Sequence, residues 1–222
     1  QAETCPHYLF MTVDILERED PARFMCSPPQ RTPDDQEALW EAIVDGTIQL
    51  VTSDHAPYRM DDTGKFANGA DAPFNRIANG MPGLETRLPL MFNAMVSEGR
   101  MGIEAFVELT ATATARAFGL HNKGQIAEGF DADIAIWDPD VTRVVKAEDM
   151  HDNMEYTPYE GMEVKGWPRV VISRGRMAVE EETLKVDRGS GEFLPRTPAE
   201  AGRELPISSP LSPSRNFGAK LL

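Results

Sequence analysis

Cysteine and histidine are scarce in this 222-residue chain, with 2 of the first and 4 of the second. Cys5 and Cys26 are too few to staple a fold, and their flanks, Thr4-Cys5-Pro6 and Met25-Cys26-Ser27, lack zinc-knuckle spacing, so both are expected as buried thiols. The histidines, His7, His55, His121 and His151, form no HxH or HExxH pair, and a complete metal site cannot be assembled from the motifs of this chain. Positive charge is also short, with 22 Lys+Arg against 36 Asp+Glu and a formal net charge of −14. Such a surface repels phosphate backbones, which argues against a nucleic-acid partner. No apolar run reaches the roughly 18 to 20 residues that span a bilayer, and no charged-then-apolar leader is visible, so the expectation is a soluble cytoplasmic protein with no membrane partner. The chain opens at Gln1 directly into dense motif, which reads as a piece of a longer protein.

What is present is an alternation of strand and helix signals in a length that fits one large domain or two small ones. Residues 3–10, Glu3-Thr4-Cys5-Pro6-His7-Tyr8-Leu9-Phe10, mix β-formers with an internal proline and are expected as a strand running into a loop. Thr32-Pro33-Asp34-Asp35 reads as a helix start, with Thr32 as N-cap, Pro33 at the first helical position and acidic residues facing the positive end of the dipole. Ala38, Leu39, Ala42 and Ile43 share one face, and Gly46 stops the helix. Residues 47–52 form a β-branched apolar run that ends in Ser53-Asp54-His55-Ala56-Pro57. Strand, helix, strand in that order predicts an α/β architecture with buried parallel strands, and polar groups just past a strand's C-terminal end are where such folds place active sites.

A loop over 65–80 is too long for a simple connector. Helical patterns follow over 84–98, 103–109 and 113–118, the last closed by Gly119. After Gly129 the pattern becomes short strands at 132–137, 141–145, 170–173 and 177–179, the last two joined through Arg174-Gly175-Arg176, which predicts a small β-sheet unit. Beyond Gly189, prolines among serines and charges predict an extended or disordered tail.

Asp54 and His55 are the sharpest chemical candidates. A carboxylate at a barrel strand's C-terminal end can ligate a metal or act as general base, and a zinc-bound water reaches a pKa near 7. An Asp-His pair in a turn is otherwise a loop hydrogen bond. His55 is expected to orient the ligand rather than bind metal itself. Ser27, between Cys26 and two prolines, and the turn dipeptide Asn79-Gly80 would each be read as loop-shaping residues on local grounds.

Six motifs occur in a fixed order: Glu3-Thr4-Cys5-Pro6-His7-Tyr8-Leu9, Cys26-Ser27-Pro28-Pro29, Ser53-Asp54-His55-Ala56-Pro57, Asn79-Gly80-Met81-Pro82-Gly83-Leu84-Glu85, Gly129-Phe130-Asp131-Ala132-Asp133 and Tyr159-Glu160-Gly161-Met162-Glu163-Val164. Over residues 1–188 they resemble the C-terminal half of the cyclic amidohydrolases, in the hydantoinase and dihydropyrimidinase branch. The resemblance implies the C-terminal portion of a metal-dependent TIM (β/α)8 barrel with part of a small β-sandwich. Residues 1–125 would carry the seventh and eighth barrel strands, residues 126–188 a sandwich segment, and residues 189–222 the tail.

It further implies hydrolysis of the cyclic amide bond in hydantoins or dihydropyrimidines, a ring opening to N-carbamoyl amino acids, at a centre of two divalent metal ions, expected to be zinc. Asp54 matches the last metal ligand, which also takes the proton of the bridging hydroxide, and Ser27 and Asn79 match the positions whose backbone groups hold the small cyclic ureide. The other ligands of that family lie outside this chain, so the isolated chain is expected to be inactive. Two alternatives stay open. His7 stands where hydantoinases often carry glutamine and allantoinases often carry histidine, and a non-catalytic scaffold resembling collapsin response mediator proteins would keep the fold without the chemistry, although the presence of Asp54 favours the enzyme. The resemblance also implies a homotetramer, to which the apolar positions at 88, 90, 91, 95, 103, 106 and 107 would contribute.

Overall fold

The computed structural model describes residues 1–196. Its first half is built on two short parallel strands, β1 (Glu3–Thr4) and β2 (Leu50–Val51), paired Glu3 to Leu50 and Thr4 to Val51. Hydrogen bonds from Gln49 N to Ala2 O and from Thr52 N to Thr4 O extend the ladder at both ends.

The strand expected over residues 3–10 is corrected by the structure. It stops after two residues, and helix α1 occupies Pro6–Phe10. Cys5 is the extended N-cap and Pro6 takes the first helical position. That position needs no N–H donor, so the proline that looked like a strand interruption is a helix start. After two 3₁₀ turns, Val13–Glu17 and Pro21–Phe24, comes helix α2 (Pro33–Val44). Its start is the one expected: Thr32 accepts from Asp35 N, and the Asp35 carboxylate accepts from the Thr32 backbone, a closed capping box with Pro33 at the first position. Gly46 ends it at a φ of 80°. Ile43 is buried and Leu39 and Ala42 pack half-buried against the core, as read off the sequence, but Ala38 is exposed and Trp40 is buried as well. Trp40 wins the inward position because its ring meets Phe10 edge-on and its Nε1 donates to Leu9 O at 3.4 Å.

Helix α3 (Arg87–Phe92) passes into a π turn at Asn93–Ser97. It begins later than residue 84, where the pattern placed it, and Leu84 is exposed. Helix α4 (Ile103–Val107) continues through a π turn, Glu108–Thr112, into α5 (Ala113–Ala117). Leu9, Trp40, Val51, Met91, Phe92 and Phe106 belong to the main core under β1 and β2. Of the apolar positions expected at an interface between subunits, Leu90, Met91, Met95 and Phe106 are buried within this chain, and Ile103 and Val107 are exposed. The main demand on that apolar surface is therefore internal.

The second half is a four-stranded antiparallel meander, β3 (Ile134–Val144), β4 (Glu163–Ser173), β5 (Arg176–Glu180) and β6 (Thr183–Leu184), in the order β3-β4-β5-β6. The two strands expected at 132–137 and 141–145 are one bulged strand, whose register shifts between Asp138 and Thr142. Pro139, which has no N–H for the ladder, sits in that gap. Arg174 and Gly175, with φ of 49° and 74°, make the two-residue turn of the β4–β5 hairpin. The described residues form one sheet here.

Trp137 of β3 joins the halves, stacking on Phe92 at 4.4 Å between centroids, while Phe106 meets both rings edge-on. Gly166 on β4 makes room for this cluster: a Cβ there would lie 2.3 Å from the Phe92 ring, and its φ is +97°. Residues 190–196 carry no regular element, and the rest of the expected tail lies outside the described residues.

Candidate functional site

The C-terminal ends of β1 and β2 point the same way, because the strands are parallel. Two side chains converge there. His7 comes from the first turn of α1, just past β1, and Asp54 follows β2 in a left-handed conformation with φ of 46°. His7 Nε2 lies 4.0 Å from Asp54 Oδ2. The imidazole is buried, and that burial outweighs the pull of the Asp54 charge, lowering its pKa to about 4. At neutral pH the contact therefore joins a neutral ring to a carboxylate, and His7 Nε2 is a buried polar atom with no hydrogen-bond partner among the described residues. Asp54 is more open, with 53% of its side chain exposed. Sequence reading named His7 only as a family variant. Its place beside Asp54 becomes visible once α1 replaces the expected strand.

Ser27 and Asn79, 52 residues apart, are brought into contact, with Ser27 Oγ donating to Asn79 Oδ1 at 3.3 Å. The Ser27 loop is tied from several directions. The Tyr8 hydroxyl and the Cys26 thiol both donate to Pro28 O, at 2.8 and 3.2 Å, and the buried Gln30 amide donates to Phe24 O at 3.0 Å. The Asn79 loop is tied to the Asp54 segment: His55 and Met81 form an isolated parallel bridge, and Ala56 N donates to Met81 O at 3.1 Å. Gly80, at a φ of +140°, allows this approach, since a Cβ would come within 2.5 Å of Ala56 Cβ. His55 Nδ1 accepts the backbone N–H groups of Gly83 and Leu84 at 3.1 and 3.2 Å. Its role in the fold is thus to hold the start of the segment leading to α3.

Ser27 and Asn79 border a cavity of about 920 Å³ whose walls include Met25, Met60, Phe66 and Phe74. A volume of that size accommodates a small organic ring with a substituent. Bonded to Met25 of that wall is Lys65, which sequence reading passed over inside the long loop. Lys65 is fully buried, donates from Nζ to Met25 O at 3.3 Å, and is pushed by burial down to about 8. Cys5 and Cys26 are buried thiols, as expected, and burial raises Cys5 to about 11, far from a reactive thiolate. His121 is exposed and His151 pairs at the surface with Glu85.

Asp54 and His7 are donor types that zinc accepts, but among the described residues no group of three or more His, Cys, Asp or Glu side chains converges to hold a metal ion. The described residues therefore do not fit a complete metal centre.

A family model described as the amidohydrolase family matches residues 3–178. The chain belongs to the amidohydrolase family. It is 42% identical over 198 residues to a D-hydantoinase of Rhizobium radiobacter, covering 88% of this chain and 42% of that protein. Among solved structures, a D-hydantoinase (dihydropyrimidinase) from Thermus sp. superposes with a TM-score of 0.83 at 34% identity, covering 89% of this chain and 43% of the other. A dihydropyrimidinase from Brevibacillus agri superposes with a TM-score of 0.78 at 39% identity, over 82% and 40% of the two chains. The chain thus spans about two fifths of the length of these amidohydrolase relatives. The fold is thus that of a portion of the TIM-barrel amidohydrolases. No described helix is long and apolar enough to cross a membrane.

Proposed function

We propose that this chain supplies the C-terminal portion of a cyclic amidohydrolase that opens hydantoins or dihydropyrimidines to N-carbamoyl amino acids. The observation that carries the reading is the bridge of Met81 to His55, which ties the segment bearing Asp54, just past the parallel strand β2, to the loop whose Asn79 contacts Ser27. In this reading residues 1–125 are barrel, residues 126–188 contribute to a sandwich, and residues 189–222 form the tail.

Two divalent metal ions, zinc by the family's donor chemistry, belong to the complete protein, with ligands beyond this chain. This chain's own residues have defined tasks. Backbone groups of Ser27 and Asn79 hold the ring amide, the exposed Asp54 carboxylate would supply one ligand to a metal held mainly by residues beyond this chain and would be placed to take up a proton, and the buried neutral His7 keeps a second charge away from that carboxylate. His55 fixes the loop that carries Asn79 relative to Asp54. The proposal includes a cytoplasmic location, and also a homotetramer, for which the exposed Ile103 and Val107 on α4 are the support in this chain.

The test is ring opening by the complete zinc-loaded protein, followed as loss of ultraviolet absorbance of hydantoin, 5-phenylhydantoin, dihydrouracil and allantoin. Turnover of the first three above allantoin is the expected result. Turnover of allantoin alone would move the protein to the allantoinases, and no turnover of any would favour a scaffold.

A further inference from the structure

Lys65 is an expensive residue for its place. A buried ammonium gives up its hydration, and the depressed pKa near 8 expresses that cost. An apolar side chain of similar length would fill the same space without it. Among the described residues the Lys65 amine has no carboxylate partner, and its hydrogen bond runs to the carbonyl of Met25.

That carbonyl is a junction. Met25 O accepts Gly80 N at 2.9 Å as well as Lys65 Nζ at 3.3 Å. Met25 lies two residues before Ser27, and Gly80 directly follows Asn79, so the atom joins the two loops that bring Ser27 Oγ and Asn79 Oδ1 together. The lysine is delivered to it by a tight turn. Lys65 N donates to Arg59 O at 2.8 Å, and a Cβ on Gly64 would lie 2.2 Å from that same oxygen, which makes glycine obligatory before the lysine. Arg59 is itself held by Asp61, by Glu155 and by the carbonyl of Asn153. A continuous path thus runs from the segment preceding β4, through Arg59 and Lys65, to the Ser27–Asn79 pair.

We propose that Lys65 is a positioning residue for substrate binding: its amine donates to Met25 O and fixes the distance between the Ser27 and Asn79 loops that grip the ring amide. The proposal rests on the functional reading above. It assigns no chemical step to the lysine, and both its charged and neutral forms keep the N–H donor that the role needs.

Lys65→Met and Lys65→Gln, made in the complete protein, form a matched pair of equal reach that differ in the donor. For Lys65→Met the expected result is a KM for dihydrouracil raised about tenfold with kcat within about threefold, as for loss of one hydrogen bond that positions substrate. Its melting temperature at pH 7 should be no lower than wild type, because the buried charge is gone. Hydrogen exchange measured by mass spectrometry should quicken in peptides covering residues 25–28 and 79–81 alone. Lys65→Gln should recover most of both the KM and the protection. Equal behaviour of the Met and Gln variants, or an unchanged KM in Lys65→Met, would overturn the assignment. If wild-type protein turns over no cyclic ureide, the functional reading fails, and exchange at residues 79–81 still decides whether Lys65 holds the two loops.

Discussion

The two halves of the described chain treat polar groups in opposite ways. Around β1, β2 and their loops, several polar side chains are buried: His7, Gln30, Lys65 and Thr86 are all removed from solvent. In β3–β6 every charged side chain lies at the surface or half-way to it, and the charges meet in pairs such as Arg169 with Glu181, Arg143 with Glu182 and Lys165 with Asp140. Burying a polar group costs stability unless a partner is fixed for it, whereas a solvated pair contributes little. The first half therefore spends stability on geometry, and the second is a platform whose charges stay in solvent. Such spending marks the part of a fold where a site is built.

Mutations that cross the line between the halves should do most harm. Phe92→Ala removes the ring on which Trp137 stacks and against which Gly166 packs, and should cost about 4 kcal/mol of unfolding free energy in the complete protein, read from denaturant midpoints. A loss below about 1 kcal/mol would mean that the sheet is not anchored through this cluster.

Next in size is a pH effect confined to the first half. The folded-state pKa of Lys65 lies near 8, below the ordinary 10.5, so between these values the unfolded chain holds a proton that the folded chain has released. Stability tied to this group is therefore absent below pH 8 and grows as the pH rises to 10.5, by up to about 3 kcal/mol. The difference in melting temperature between wild type and Lys65→Met should shift toward wild type across that window. A constant difference would show that Lys65 titrates normally.

Smaller still is the capping box of α2. Thr32→Ala removes the acceptor for Asp35 N and should cost about 1 kcal/mol, with Thr32→Ser restoring it. At the bottom of the scale, Arg169→Ala in the sheet should leave the melting temperature unchanged within error, since the guanidinium and Glu181 are both solvated. A clear loss there would erase the contrast between the halves.

Legibility in the sequence follows the range of the forces involved. The start and stop of α2 are local, written in Thr32, Pro33, Asp35 and Gly46, and the structure has them where the sequence puts them. The β4–β5 hairpin at Arg174-Gly175 is equally local. Residues 3–10 misled because proline carries two meanings, strand breaker and helix starter, and tertiary packing of Leu9 and Phe10 against Trp40 selects the second. Pro139 misled in the other direction, marking a bulge within one strand rather than a gap between two. Of the site, the order of motifs singled out Asp54, Ser27 and Asn79, and the fold brings the last two into contact. The burial of His7 and Lys65 was not legible, since both are common surface residues and only long-range packing removes them from water.

The central claim is that Asp54 carries chemistry while the rest of the described site holds the substrate in place. Turnover of dihydrouracil by the complete protein with Asp54→Asn tests it most directly, because the change is isosteric and the side chain is half exposed, so the fold should survive with an unchanged melting temperature. Loss of one ligand and proton acceptor predicts kcat reduced at least about a thousandfold. A kcat within about tenfold of wild type, in protein that is folded and metal-loaded, would contradict the account.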